Sequence, residues 1–165
     1  MAETVDIGCD GLTFLPYLCG STMPKYNPDA RGSFLGITAE HGRAHFIRSI
    51  MESVACMLRQ NLEFINASGS EIRSMGGAAK STVWCQMKAD MTGRNIKTLK
   101  NKETACLGAA ILAGVGTGVF RSVGEAAKMI EAVQTFTPSG NDYSEVYKRY
   151  CSADDILNKT EGDKK

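Results

Sequence analysis

"EIRSMGGAAKSTVWCQMKAD", residues 71–90, runs from a short β-like segment through two glycines and a Lys-Ser pair into an apolar helix pattern. It has the outline of a phosphate loop. A P-loop needs G-x-x-x-x-G-K-[ST], because consecutive backbone N–H groups must wrap the phosphates before the lysine reaches them. Read back from Lys80-Ser81, the two glycine positions hold Ala79 and Ser74, so the motif fails at both. What remains is a strand that ends in Gly76-Gly77 and feeds a helix. Such a turn lets a ligand approach backbone without meeting a Cβ, beside a helix N-terminus that favours anions or polar edges. A plain tight βα turn has the same outline, and the loop by itself does not separate the two.

Working outward, "GLTFLPYL" (11–18) and "GSFLGIT" (32–38) read as short strands, with the Pro, Asn, Asp and Gly chemistry of a long turn between them. Phe46, Ile47, Ile50, Met51, Val54, Leu58, Leu62 and Ile65 recur at three and four residues, which predicts a long amphipathic helix over 39–67. "EIRSM" predicts a strand, 80–92 a helix with Val83, Trp84, Met87 and Met91 on one face, and "NIKTL" another strand. The order α-β-α-β-α from residue 39 is a parallel-sheet signature. "ETACLGAAILAGVGTGVF" (103–120) predicts a helix whose Gly114, Gly116 and Gly118 imitate a dinucleotide fingerprint. They fall at the helix end, whereas a dinucleotide loop precedes its helix, so they read as a helix C-terminus. "SVGEAAKMIEAV" and "DYSEVYKRYCSADDIL" predict two further helices, and no internal repeat is present.

The bulk properties exclude several classes. A length of 165 residues fits one domain with a real core. Lys plus Arg number 19 against 18 Asp plus Glu, which argues against nucleic acid or an anionic membrane as partner. The start, "MAETVDIGCDG", has neither basic n-region nor apolar h-region, and no stretch approaches the length of a bilayer span; a cytoplasmic setting is the expectation. The six cysteines form no C-x-x-C pair and are expected to be reduced thiols. His41 and His45 are spaced i, i+4, yet lack the glutamate of an H-E-x-x-H site and are the only two histidines, so a helix-surface role is preferred over metal binding.

Taken in order, "DGLTFLPYLCGSTMPKYNPDARG" (10–32), "GSFLGITAEHGRAHFIRSIME" (32–52), "GGAAKSTVWCQMKADMTGRNI" (76–96) and "ETACLGAAILAG" (103–114) resemble the C-terminal, nucleotide-binding half of the FGGY carbohydrate kinases, most closely the xylulose kinases. The resemblance spans about residues 8–150 and implies an α/β fold of the ribonuclease H-like, actin-like ATPase class: a partial domain over 1–165, with a mixed sheet and flanking helices. In that family one domain holds the sugar and the other ATP, and the γ-phosphoryl passes in line to a sugar hydroxyl with Mg²⁺ and a general base assisting.

By the same resemblance "GGAAKS" is the adenosine motif. Gly76 and Gly77 pass beneath the ribose and α-phosphate, Ala78 lines the adenine, Ser81 offers a polar edge to the base, and Lys80 need not touch phosphate. The sugar-binding domain, its catalytic aspartate and the Gly-Thr phosphate turn of the family have no counterpart here. Asp10, Asp29 and Asp90 match no catalytic role, so no catalytic residue is assigned. Ala78 stands where many relatives carry a third glycine, and "CGSTMP" where many have "GERTP". The expected partners are ATP or ADP, a xylulose-like sugar or polyol held mainly by the other domain, and either a second copy or a chain carrying that domain. The rival reading is a non-enzymatic nucleotide-binding or interaction module derived from such a kinase.

Overall fold

The fold is described from a computed structural model, over residues 1–100 and 103–162. The chain divides into two compact units, Met1–Ser68 with Asp90–Gly93 and Gly140–Lys165, and Gly69–Ala89 with Arg94–Ser139.

In the first unit, β1 (Thr13–Leu15) and β2 (Ser33–Leu35) pair antiparallel, with Phe14 opposite Phe34. The two rings lie 4.5 Å apart between centroids, and Phe34 meets Phe46 of α1 edge-on at 5.0 Å, so an aromatic chain ties the strands to the long helix. Helix α1 (Arg43–Phe64) starts at Gly42, whose N–H donates to His45 Nδ1 at 3.1 Å. That leaves His45 as a capping side chain, its Nε2 3.1 Å from Asp10 Oδ2, while His41 Nδ1 accepts the Thr38 N–H at 2.9 Å.

The inward face of α1 departs from the apolar stripe. Arg48, Ser49, Glu52, Ser53, Ala55 and Cys56 are buried, whereas Ile50 and Ile65 are exposed. An i, i+4 ion pair makes this affordable. Arg48 Nε donates to Glu52 Oε1 at 2.8 Å, Arg48 Nη2 to the Tyr143 hydroxyl at 3.2 Å, and the Gly8 N–H to Glu52 Oε1 at 3.1 Å. A buried charge survives only when paired and hydrogen-bonded in this way. Helix α5 (Ser144–Gly162) packs alongside α1 and β1. Its buried Asp154 accepts from Tyr17, Lys25, Gln60 and Asn158, which pins the long 16–31 turn to the helix.

The second unit carries the order β3 (Glu71–Ser74), α2 (Thr82–Thr92, its last turn counted with the first unit), β4 (Asn95–Leu99), α3 (Thr104–Gly116), α4 (Val123–Ala126) and β5 (Ala132–Phe136). The sheet order is β3-β4-β5, with β3 and β4 parallel and β5 antiparallel to β4. The mixed sheet arises where a helix is expected. "SVGEAAKMIEAV" forms only the short α4 and a 3₁₀ turn, Ala127–Met129, before β5 begins at Ala132. The helix formers Glu125, Ala126 and Lys128 mask the β-branched Val133 and Thr135, and the pairing of Ala132, Gln134, Thr135 and Phe136 with β4 decides the outcome.

Cross-strand partners share a face, so Ile72, Ile96 and Phe136 line up in one row, and Cys85 and Ala89 of α2 cover it. Cys9, Cys56 and Cys85 are buried free thiols. At the end of α3, the Phe120 ring lies over Gly114, where a Cβ would stand 2.6 Å from it; Gly118, at φ +78°, turns the chain away. The spaced glycines thus serve helix termination.

Candidate functional site

The site grows from the parity of the sheet. Two residues beyond Ile72, Ile96 and toward the carboxyl ends of β3 and β4, the next row on the same face is Ser74 opposite Thr98, with Gln134 beyond it on β5. Helix α2 begins at Thr82 and packs on the first row, and the second row is the floor of an open cavity of about 510 Å³. Ligands in open α/β sheets gather outside the carboxyl ends of parallel strands, which is where this cavity lies.

The wall opposite the floor is the predicted loop. Gly76 has φ +75° and ψ −162°, a conformation that essentially only glycine adopts, and Gly77–Lys80 coil into one 3₁₀ turn. A Cβ at Gly76 or Gly77 would meet nothing within 4 Å, so the backbone there is open to approach. Gly76, Ala79 and Lys80 line the cavity, with Met75, Leu99 and Val133 as its apolar part. Val133 enters because the β4–β5 register shifts between Thr98 and Leu99: Thr98 pairs with Gln134 and Leu99 with Ala132, which leaves Val133 as a bulged residue.

Two lysines line this wall, Lys80 and Lys100, and among the described residues no Asp or Glu does. They differ in state. Lys100 Nζ lies 2.7 Å from Glu131 Oε2, a fully exposed pair that raises the lysine's pKa and lowers the glutamate's through the shared hydrogen bond. Lys80 is exposed and has no ion-pair partner among the described residues.

Of the four predicted site residues, Gly76 lines the cavity and Gly77, Ala78 and Ser81 follow it on the outer turn. The Ser81 hydroxyl accepts the Trp84 N–H at 3.3 Å, capping α2. The three aspartates are elsewhere: Asp10 faces His45, Asp29 lies exposed in the 16–31 turn, and Asp90 accepts from Asn141 at 3.1 Å. Sequence reading missed Thr98, Gln134, Lys100 and Val133. The strand "NIKTL" contained the first, and the β-branched alternation of "AVQTF" was the available signal for β5.

Among the described residues no group of three or more His, Cys, Asp and Glu side chains gathers. With no carboxylate on the cavity wall either, these residues do not fit a resident Mg²⁺, which prefers carboxylate, phosphate and water oxygens. No helix is long and apolar enough to cross a membrane among the described residues.

An α/β unit with a mixed sheet, a glycine-hinged βα turn and a cavity at the strand ends agrees with the actin-like ATPase class that the sequence resemblance implies. The sequence profile described as the FGGY family of carbohydrate kinases, C-terminal domain, matches residues 1–117. The chain belongs to that family. It is 36 % identical to xylulose kinase of Staphylococcus epidermidis over 163 residues, covering 96 % of this chain and 33 % of the relative. It is 37 % identical to gluconokinase of Bacillus subtilis over 142 residues, covering 84 % and 28 %. The structure of ligand-bound xylulose kinase from Lactobacillus acidophilus superposes with a TM-score of 0.86 at 27 % identity, covering 98 % of this chain and 34 % of that one. Plasmodium falciparum glycerol kinase with ADP gives 0.75 at 25 %, covering 97 % and 32 %. The chain therefore spans about a third of the length of the kinases it matches.

Proposed function

We propose that this chain is the ATP-binding part of a sugar kinase that transfers the γ-phosphoryl of ATP to a sugar or polyol hydroxyl, with a xylulose-like acceptor. The observation that carries the reading is the turn at Gly76. A glycine-only conformation stands at the carboxyl end of a parallel strand and opens onto a 510 Å³ cavity, large enough for a nucleoside. Gly76 and Gly77 present bare backbone to the ribose and α-phosphate, Ala78 lies along the base, and Ser81 offers its hydroxyl proton to a base edge while its oxygen keeps the cap. The similarity to xylulose, gluconate and glycerol kinases supports phosphoryl transfer to a polyol, and that to two xylulose kinases supports the acceptor class.

Phosphoryl transfer depends on positioning both reactants and on charge stabilisation. The described residues hold no assigned base and no donor set for Mg²⁺, so we expect this chain alone to bind nucleotide and to turn over sugar at background rate. Leu112 and Val119, both more than 60 % exposed, are surface that a second copy or a chain carrying the sugar domain would cover. Titration of the purified chain with ADP by calorimetry tests the binding, and ADP release with xylulose, ribulose, gluconate and glycerol tests the turnover. Saturable ADP binding without sugar-dependent release is expected. Absence of ADP binding removes the nucleotide reading; robust sugar-dependent release removes the expected dependence on a second domain.

The rival reading, an interaction module derived from a kinase, is favoured by the exposed apolar side chains alone. It predicts that adding a sugar-domain chain leaves ADP release at background.

A further inference from the structure

We infer that Lys80 is the phosphate-contacting cation of the cavity, and that Glu131 masks Lys100 as a second one. The inference rests on the nucleotide reading above and assigns a charge role that the resemblance leaves out.

Three observations converge on it. First, Lys80 closes the 3₁₀ turn that begins at Gly77 and lines the same cavity as Gly76, so the turn that brings backbone to a nucleoside also puts a lysine within side-chain reach of that place. Second, the floor is polar without being charged. Ser74, Thr98 and Gln134 form one row across three strands, and hydroxyl and amide groups in such a row can donate to oxygens that the lysine neutralises. Third, among the described residues the lining holds two lysines and no Asp or Glu, and the Glu131 carboxylate is engaged by Lys100, so an entering anion meets Lys80 without a carboxylate paired to it. A phosphate-bearing ligand satisfies Lys80 and the row together through charge-assisted hydrogen bonds, which are about twice as strong as neutral ones.

Lys100 is placed to act in the same way and is held back. Its backbone N–H donates to the Glu131 carbonyl at 3.0 Å and its Nζ to the Glu131 carboxylate, so the side chain is paired with the residue just before β5. The pair is exposed, and an exposed pair is weak enough for a polyphosphate to compete with it. Lys80 therefore carries the binding, and Lys100 contributes when Glu131 is neutralised.

The test compares ADP with adenosine, by calorimetry, on the wild-type chain and on Lys80→Met, Lys80→Arg and Glu131→Gln, with circular dichroism as folding control. Lys80→Met should weaken ADP about tenfold and leave adenosine within about twofold; Lys80→Arg should restore most of the loss. Glu131→Gln should tighten ADP about twofold and do nothing to adenosine. Equal effects of Lys80→Met on ADP and adenosine, or none on either, overturn the inference while leaving the nucleotide reading in place. A wild-type chain that binds neither compound overturns both.

Discussion

The Ser81 hydroxyl oxygen lies 3.3 Å from the Trp84 backbone nitrogen and accepts its N–H, while the Ser81 N–H donates to the Ala78 carbonyl at 3.2 Å, so one residue both closes the glycine turn and opens α2. Ser81→Ala should therefore lower stability by about 1 kcal/mol through loss of the cap, before any ligand is added. Ser81→Asp, which also caps, should restore the stability. Urea denaturation of the three proteins measures this, and a Ser81→Ala chain as stable as wild type would assign the hydroxyl to ligand alone.

The two loop glycines should separate in the same kind of experiment. Gly76 needs its positive φ, so Gly76→Ala should cost roughly 1–3 kcal/mol of strain, relaxed by a distorted turn that weakens ADP binding as well. Gly77 opens a right-handed turn and faces free space, so Gly77→Val should fold nearly normally and lose ADP affinity if the nucleoside lies against it. Thermal unfolding paired with calorimetry distinguishes a folding effect from a binding effect at each position.

Removing one member of the buried pair on α1 should be among the most damaging changes in the first unit. Glu52→Ala leaves Arg48 buried without its carboxylate and strips an acceptor from the Gly8 N–H, at a cost of about 3–5 kcal/mol. The double change Arg48→Met with Glu52→Leu should be milder than Glu52→Ala, because no charge is left unpaired. A denaturant series on both variants checks the order.

Alkaline pH should loosen the same region. Burial, with a smaller push from the Glu52 charge, raises the Cys9 thiol from an ordinary 9.0 to about 12. Burial likewise raises the Tyr143 hydroxyl from 10.0 to about 12. Both groups are neutral in the fold, and both folded values lie above the unfolded ones. Their contribution is complete below pH 9 and is lost as pH rises toward 12. Denaturation midpoints should be level up to about pH 8.5 and then fall, and Cys9→Ala should flatten part of the fall.

How much of this was readable in advance depends on where local pattern and tertiary context agree. "NIKTL" forms β4 over the whole predicted span, Asn95–Leu99, because the β-branched Ile96 and Thr98 recur at every second residue on one face. The turn at Gly76 was legible in its glycine pair, since only glycine fits the backbone at Gly76. Helix α1 was legible in extent and not in orientation: the spacing of Phe46, Ile50 and Val54 marks a face, yet the Arg48–Glu52 pair with its Tyr143 and Gly8 partners draws the neighbouring face inward. Strand β5 was hidden because Ala, Glu and Lys upstream carry helix propensity, and only pairing with β4 overrides it. The site residues from that strand, Val133 and Gln134, were lost with it, and the place of Lys80 on the cavity wall depends on a 3₁₀ turn that no periodicity announces.

Hydrogen exchange read by mass spectrometry, on the chain with and without ADP and Mg²⁺, reports where the nucleotide lies without any substitution. Nucleotide bound at the Gly76 turn should slow exchange at 75–81 and at the strand ends 98–100 and 132–134, with the 16–31 turn unchanged. Protection confined to segments outside these three, or none at ADP concentrations that saturate calorimetric binding, would contradict binding at that turn.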